Sequence, residues 1–433
     1  MKKTILLAAA MFAAGAQPAS AQGNAEPRTF IQAGSLLADP SSGRVDKAKT
    51  IVVSGGRIVE IRDGFVAEDG AKVIDLRDAF VLPGFIDSHV HITFESSPSS
   101  RLDAVTKSTT DQAFDGVVYA ERTLRAGFTT VVDLGADVEA INALRDAIAA
   151  GKVSGPRIIA AGGVAAHGGH GDAHGYRHEI LELFRSPTLC SGADDCARAV
   201  RVAIQQGADI IKTASTGGVM SNTSAGLGQQ MSDEELSSIV QTAHRLGRKV
   251  AAHAHGTDGV NAALRAGVDS VEHGTYLDAE SIRLFKAKGS YLVPTLMAGD
   301  TVGRQAETAA WMPEPVRAKA RQVGPLMVDA LRRAHEGGVR IAFGTDSAVS
   351  PHGQNAREFT LMVKAGLTPL DAIRSATVWG AAHTGLEQEV GTLTAGKAAD
   401  IIAVKGDPLA DVRTLESMAF VMKGGVIARS HAE

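Results

Sequence analysis

A chain of 433 residues with 44 Lys and Arg against 48 Asp and Glu, a formal charge of −4, has no basic excess to hold nucleic acid or an anionic membrane. The length suffices for one large domain plus a smaller one, and 47 glycines with few aromatic residues suit many tight strand–helix turns. No apolar run reaches the ~20 residues that a membrane-spanning helix needs.

Residues 1–21 read as a secretory leader: Lys2 and Lys3, an apolar stretch over 5–14, and Ala19-Ser20-Ala21 as a cleavage site ahead of Gln22. The expectation is a periplasmic or secreted protein cleaved after Ala21. Cleavage leaves about 410 residues, with 42 basic against 48 acidic side chains and a charge of −6. Over 22–83 short β-type runs (50–54, 57–61, 72–76) are split by Gly55-Gly56 and Asp69-Gly70, as in a small antiparallel sheet. The texture returns over 386–433, in runs 399–404, 420–422 and 426–428. The two ends are expected to pair into one β-sandwich bracketing everything between.

Over 84–385 apolar strand-like runs alternate with amphipathic helical stretches. Eight strands are predicted, over 85–89, 129–134, 157–161, 209–213, 249–253, 270–273, 291–294 and 340–344. The helical stretches fall over 119–126, 140–150, 197–206, 234–246, 259–266, 279–288 and 316–335. Ser232-Asp233-Glu234-Glu235 has the form of a capping box, and Gly127, Gly207, Gly247, Gly267 and Gly289 stand where helix C-caps belong. The fold class predicted is α/β, a (β/α)8 TIM barrel with the small β-sandwich at its side. In such barrels the chemistry lies at the C-terminal ends of the strands.

Residues of metal-ligand type fall at those ends. Strand one ends in Pro83-Gly84-Phe85-Ile86-Asp87-Ser88-His89-Val90-His91, where the one-residue spacing puts both imidazoles on one face of a strand. Lys212 ends strand four, His253 strand five and His273 strand six, and Asp346 follows strand eight. Any one of these alone reads as a solvated rim residue; six at one rim point to a metal site. A lysine in an apolar run is costly to bury as an ammonium. If its amine captures carbon dioxide it becomes an anionic carbamate able to bridge two metals; a lysine reaching to the rim is the plainer reading.

On these residues, and on Gly391-Thr392-Leu393 through Gly396-Lys397-Ala398-Ala399-Asp400, the chain resembles the amidohydrolase superfamily over nearly its whole length. Ala126 to Val131 and Lys212 to Gly218 are similar to the imidazolonepropionase-related, prolidase-like branch, and especially to bacterial amidohydrolases that hydrolyse ochratoxin A, an amide of phenylalanine. The resemblance implies two zinc ions: His89 and His91 on the more buried ion, His253 and His273 on the more exposed one, carboxylated Lys212 bridging both. Asp346 would bind the buried ion and handle the proton. Two such ions about 3.5–4 Å apart share a water and supply hydroxide at neutral pH, and Asp346 would accept its proton and pass it to the leaving amine. Related enzymes are commonly homo-oligomers.

His167, His170, His174 and His178 lie in a Gly-rich loop after strand three, a second metal tract or a mobile lid. By the resemblance His170 orients the substrate's carbonyl or carboxylate. His255, one alternation beyond His253, is a similar candidate, and Val219, Met220 and Tyr276 are weighed as pocket wall against ordinary packing. No Arg or Lys at the presumed mouth stands out as partner for a substrate carboxylate. Cys190 and Cys196 are expected to form a disulfide, given export. Residues 391–397 fit the start of a phosphate loop, but Ala398 stands where Ser or Thr is needed, which discards it. Asn222-Thr223-Ser224 is a formal glycosylation sequon without consequence in a bacterial-type exported chain.

The reading is thus a binuclear zinc amidohydrolase, cleaving an amide or dipeptide to release a C-terminal amino acid, as a carboxypeptidase or dipeptidase does. N-acyl-phenylalanine amides such as ochratoxin A fit it. The alternatives are a mononuclear cyclic-amide hydrolase or deaminase, and a non-catalytic periplasmic metal-binding protein.

Overall fold

In the computed structural model, which describes residues 27–221 and 226–430, seventeen strands are arranged in two large sheets and one small one. The leader and the Asn222 sequon lie outside the described residues. The chain enters through β1 (Thr29–Leu36), β2 (Asp46–Ser54), β3 (Arg57–Asp63) and β4 (Lys72–Pro83). It continues through β5 (Phe85–Val90), β6 (Phe128–Asp133), β7 (Arg157–Gly163), the two-residue strands β8 (Ala165–Ala166) and β9 (Leu189–Cys190), and β10 (Ile210–Ala214). Then follow β11 (Val250–Ala254), β12 (Ser270–His273), β13 (Tyr291–Val293) and β14 (Arg340–Ile341). Last come β15 (Ile401–Val404), β16 (Met418–Lys423) and β17 (Val426–Arg429).

Eight of these, β5-β6-β7-β10-β11-β12-β13-β14, form a wholly parallel sheet. Its two edges meet. Ser88 N donates to Phe343 O at 2.8 Å, Asp346 N to His89 O at 2.7 Å, and Val90 bridges Ser347. A curled parallel sheet joined in this way has the form of a TIM-like barrel. The closure needs Gly344, because a Cβ there would meet Val293 Cγ1 at 2.3 Å and His89 Cβ at 3.0 Å. Helices cover the outside, and the main apolar core lies between them and the strands. Several helix ends are set locally: the box at Ser232 and Glu235 forms as its sequence suggests, and the five expected C-cap glycines all take positive φ.

The expected β-sandwich of the chain ends takes a different form. All seven strands join one sheet, β17-β16-β15-β4-β1-β2-β3, in which β1 and β4 run parallel. It curls: Ile58 N donates to Lys397 O and Gly396 N to Ile58 O, so β3 returns to the segment just before β15. Ile31, Ile51, Leu76, Val81, Ile401 and Phe420 fill the fold thus made. The segment β4–Gly84–β5 leads straight from this sheet into the barrel. Helix Leu296–Thr308 and the short helices Arg357–Lys364, Pro369–Ser375 and Val378–Thr384 escape the sequence reading. Helix Thr109–Arg125 begins ten residues before its expected start, on a capping box whose third residue is Asp111. No helix among the described residues is long and apolar enough to cross a membrane. Cys190 and Cys196 are joined, tying the end of β9 to the first turn of helix Ala193–Gln205.

Candidate metal centre

Period-two alternation sends His89 and His91 from the end of β5 to one side, where Asp346 meets them; its Oδ1 lies 3.6 Å from His89 Nε2 and 3.2 Å from His91 Nε2. His253, His255 and His273 form a second group at the ends of β11 and β12. Within each group the potential ligand atoms all lie within 4.8 Å of one another. The groups adjoin, with the His89 and His273 rings 5.3 Å apart between centroids. Lys212, in β10, feels the charge of Asp346, Glu272 and Asp133.

The imidazoles are oriented one by one. Glu272 Oε2 lies 2.8 Å from His89 Nδ1, and the Gly135 carbonyl 2.7 Å from His91 Nδ1. The hydroxyls of Thr275 and Thr295 hold Nδ1 of His255 and His273 at 2.7 and 2.6 Å. His253 instead engages the Gly217 carbonyl through Nε2, at 3.3 Å, with no hydrogen bond to Nδ1 among the described residues. Fixing one ring nitrogen so that the other is presented is what metal-binding histidines require.

Backbone strain gathers here. His273, Thr295 and Asp346 have φ of 71°, 49° and 56°, a left-handed conformation that costs a non-glycine residue about 1 kcal/mol or more. The turn at His273 explains a break in alternation: Glu272 and His273 are neighbours in sequence, yet both reach the site. Asp87, fully buried, fixes the closing segment. Its carboxylate accepts from Thr345 Oγ1 at 2.7 Å, Asn355 Nδ2 at 2.8 Å and His89 N at 3.1 Å, and burial pushes its pKa up to about 6 despite these bonds.

The electrostatics suit cations that take neutral ligands. Burial holds His89, His253 and His273 well below the ordinary imidazole range, and His255 down to about 3, so these rings are neutral at pH 7. His91 differs: burial opposes its proton, but Asp346, with Asp133 and the Gly135 carbonyl, more than offsets burial and raises the pKa. Asp346 lies below the usual carboxylate range; burial raises it, and the field of His89, His91 and Lys212 more than offsets that. Burial lowers Lys212, against three nearby carboxylates, which favours the neutral amine. Imidazoles with one nitrogen held and the other turned to the cluster, an acidic carboxylate and a lysine of lowered basicity are together a donor set into which divalent metal fits.

His170 belongs to the same cluster. Its ring centroid is 4.0 Å from that of His253, Nδ1 meets Ser221 Oγ at 2.7 Å, and burial takes its pKa to about 4. His255 is buried and stacks on His273, so it is no rim residue. Of the other loop histidines, His167 turns to Ser191 and His178 is exposed; neither joins a group of potential ligands among the described residues. Val219 is buried in the main core and Met220 is exposed. Tyr276 is half-buried, with its backbone bonded to His255 and Thr257.

Fold and site together define a barrel hydrolase of metal-dependent type. Residues 80–428 match the Amidohydrolase family, and the chain belongs to it. It is 33% identical to ochratoxinase of Aspergillus niger over 374 residues, 80% of this chain and 75% of that one; the crystal structure of that enzyme superposes with a TM-score of 0.82 at 28% identity, covering 94% and 96% of the two chains. A crystal structure of a Xaa-Pro dipeptidase with methionine bound in its active site gives a TM-score of 0.88 at 40% identity, over 92% of this chain and 99% of that one. A prolidase complexed with N-methylphosphonate-L-proline gives 0.84 at 31% identity, over 93% and 100%.

Proposed function

We propose that this chain hydrolyses an amide or peptide bond to release a C-terminal amino acid, as a binuclear zinc-dependent carboxypeptidase or dipeptidase. N-acyl-phenylalanine amides of the ochratoxin A kind lie within its range. The observation that carries the proposal is the pair of adjoining ligand groups, His89/His91/Asp346 and His253/His255/His273, at the ends of the barrel strands, with Lys212 in the field of Glu272 and Asp346. The ochratoxinase and dipeptidase relatives support the substrate class.

In this reading His89, His91 and Asp346 hold one ion, and His253 and His273 the other. Lys212, its neutral amine having added to carbon dioxide and shed a proton, would offer the ions an anionic carbamate. When bound, such ions supply Lewis acidity to the carbonyl and lower the pKa of water. Asp346 takes a proton from the attacking water at its carboxylate and returns it to the departing nitrogen. His170 and His255, neutral and oriented by Ser221 and Thr275, position the substrate's oxygens. We further propose export with cleavage after Ala21 and assembly as a homo-oligomer, to be checked by N-terminal sequencing and sedimentation of the secreted protein.

The test is a screen of dipeptides and N-acyl amino acids with added zinc, and with a chelator as control. Chelator-sensitive release of an amino acid supports the reading, and mass spectrometry of the intact chain should find Lys212 one carbon dioxide heavier. Absence of any such release across the screen would overturn it.

A further inference from the structure

The long helix Glu314–Glu336, which leads from β13 towards β14, brings one cation to this site from a direction the strand ends do not use. Lys319 is half-buried, and its amine donates to the carbonyls of Gly218 at 2.9 Å and Ser221 at 2.6 Å. Ser221 is shared: its hydroxyl bonds His170 Nδ1 at 2.7 Å while its carbonyl takes the lysine. Gly218 is shared too, since a Cβ there would lie 2.4 Å from the His170 ring. Lys319 is thus two hydrogen bonds, by way of Ser221, from the histidine that faces His253.

An ammonium has three N–H donors, and two are spent on neutral carbonyls. Burial lowers its basicity and no carboxylate among the described residues offsets that. Through Ser221 the amine is linked to His170, whose ring lies 4.0 Å from that of His253. A partly desolvated cation with no counter-ion among the described residues costs free energy before substrate binds, and an incoming anion relieves that cost.

We propose that Lys319 is the specificity-determining residue for the free carboxylate of the amino acid to be released, its third N–H completing a carboxylate seat beside His170 and His255. This rests on the reading of the chain as an amino-acid-releasing amidase. It supplies the cationic partner that the motifs at the strand ends lack, and it makes the enzyme select acids over the corresponding amides.

The test compares an N-acyl-phenylalanine, or a dipeptide ending in phenylalanine, with the same compound as its C-terminal carboxamide, using the zinc-loaded full chain. Wild type should prefer the free acid. Lys319→Met should raise KM for the acid about ten- to a hundred-fold, hold kcat within about three-fold and leave kcat/KM for the carboxamide unchanged. Lys319→Arg, which keeps the charge, should retain most of the preference. Equal losses on acid and carboxamide in Lys319→Met would mean that the amine only props Gly218 and Ser221, and the proposal falls. Wild type that cleaves neither compound would overturn the amidase reading and this inference with it, whereas wild type that cleaves both without preference overturns this inference alone.

Discussion

Asp346 is asked to do two things at once, and its surroundings serve both. A ligand must be ionised, and its neighbours, the His91 hydrogen bond among them, hold its pKa low against burial; a proton carrier must also accept the water's proton. Replacing it with Asn keeps an oxygen of the same reach and removes the basicity. Asp346→Asn should therefore retain bound metal by elemental analysis while kcat falls about a thousand-fold. Glu272 acts one step back. It fixes Nδ1 of His89 and is itself held by Ser270 Oγ at 2.6 Å. Losing such an outer partner costs metal affinity about ten- to a hundred-fold, so Glu272→Leu should show that loss in a competitive chelator titration. Glu272→Gln, which keeps an acceptor oxygen, should lose less. Sequence reading reaches Asp346, because Thr345-Asp346 closes an apolar strand. Glu272 stays hidden inside Val271-Glu272-His273, since alternation puts neighbours on opposite faces and only the positive φ at His273 turns that imidazole to the side Glu272 already faces. Lys319 is hidden for another reason: on a helix surface it looks like any solvated lysine until the loop after β10 folds against it.

At the scale of elements, the helix Leu296–Thr308 shows why its neighbour Glu358 is buried. Its N-cap, Thr295, has given its hydroxyl to His273 and caps nothing. Glu358 reaches over from helix Arg357–Lys364 and accepts from Leu296 N at 2.8 Å and Met297 N at 2.6 Å, satisfying the orphan donors. Burial pushes its pKa from 4.5 up to about 8, despite those bonds. Between these two values the folded state binds more proton than the unfolded chain, so stability falls as pH rises through that window and the loss is complete above pH 8. Glu358→Gln cannot ionise but accepts only one of the two bonds. The variant should be about 1 kcal/mol less stable than wild type near pH 5 and equal or more stable near pH 9, read from urea midpoints at the two pH values. The same helix explains a limit of sequence reading, since a helix whose cap comes from 62 residues away carries no local start signal. Strands and glycine C-caps are legible because their causes are local. The helices Arg357–Lys364, Pro369–Ser375 and Val378–Thr384 span two turns or so, too few for a period to register.

For the whole molecule, the proposed ligands come from both edges of the curled sheet and from its middle. His89 belongs to β5 and His91 follows it, Asp346 follows β14, and Lys212, His253 and His273 belong to β10, β11 and β12. Ions bound there would tie the seam of the barrel to its opposite wall, so loading and global stability are linked. An ion that binds only the folded chain, at a hundred times its Kd, adds about 2.7 kcal/mol per site. Stripping the protein with a chelator should accordingly lower its Tm by several degrees, and zinc should restore it. Three variants make the link specific. Asp346→Asn, predicted to keep its metal, should keep most of the chelator-dependent shift although inactive; Lys212→Ala, lacking the bridge, should lose most of it; Lys319→Met should keep all of it, because its charge serves the substrate and not the ions. A Tm indifferent to chelator in the wild-type chain would mean that this rim holds no metal, and that the converging imidazoles serve only one another.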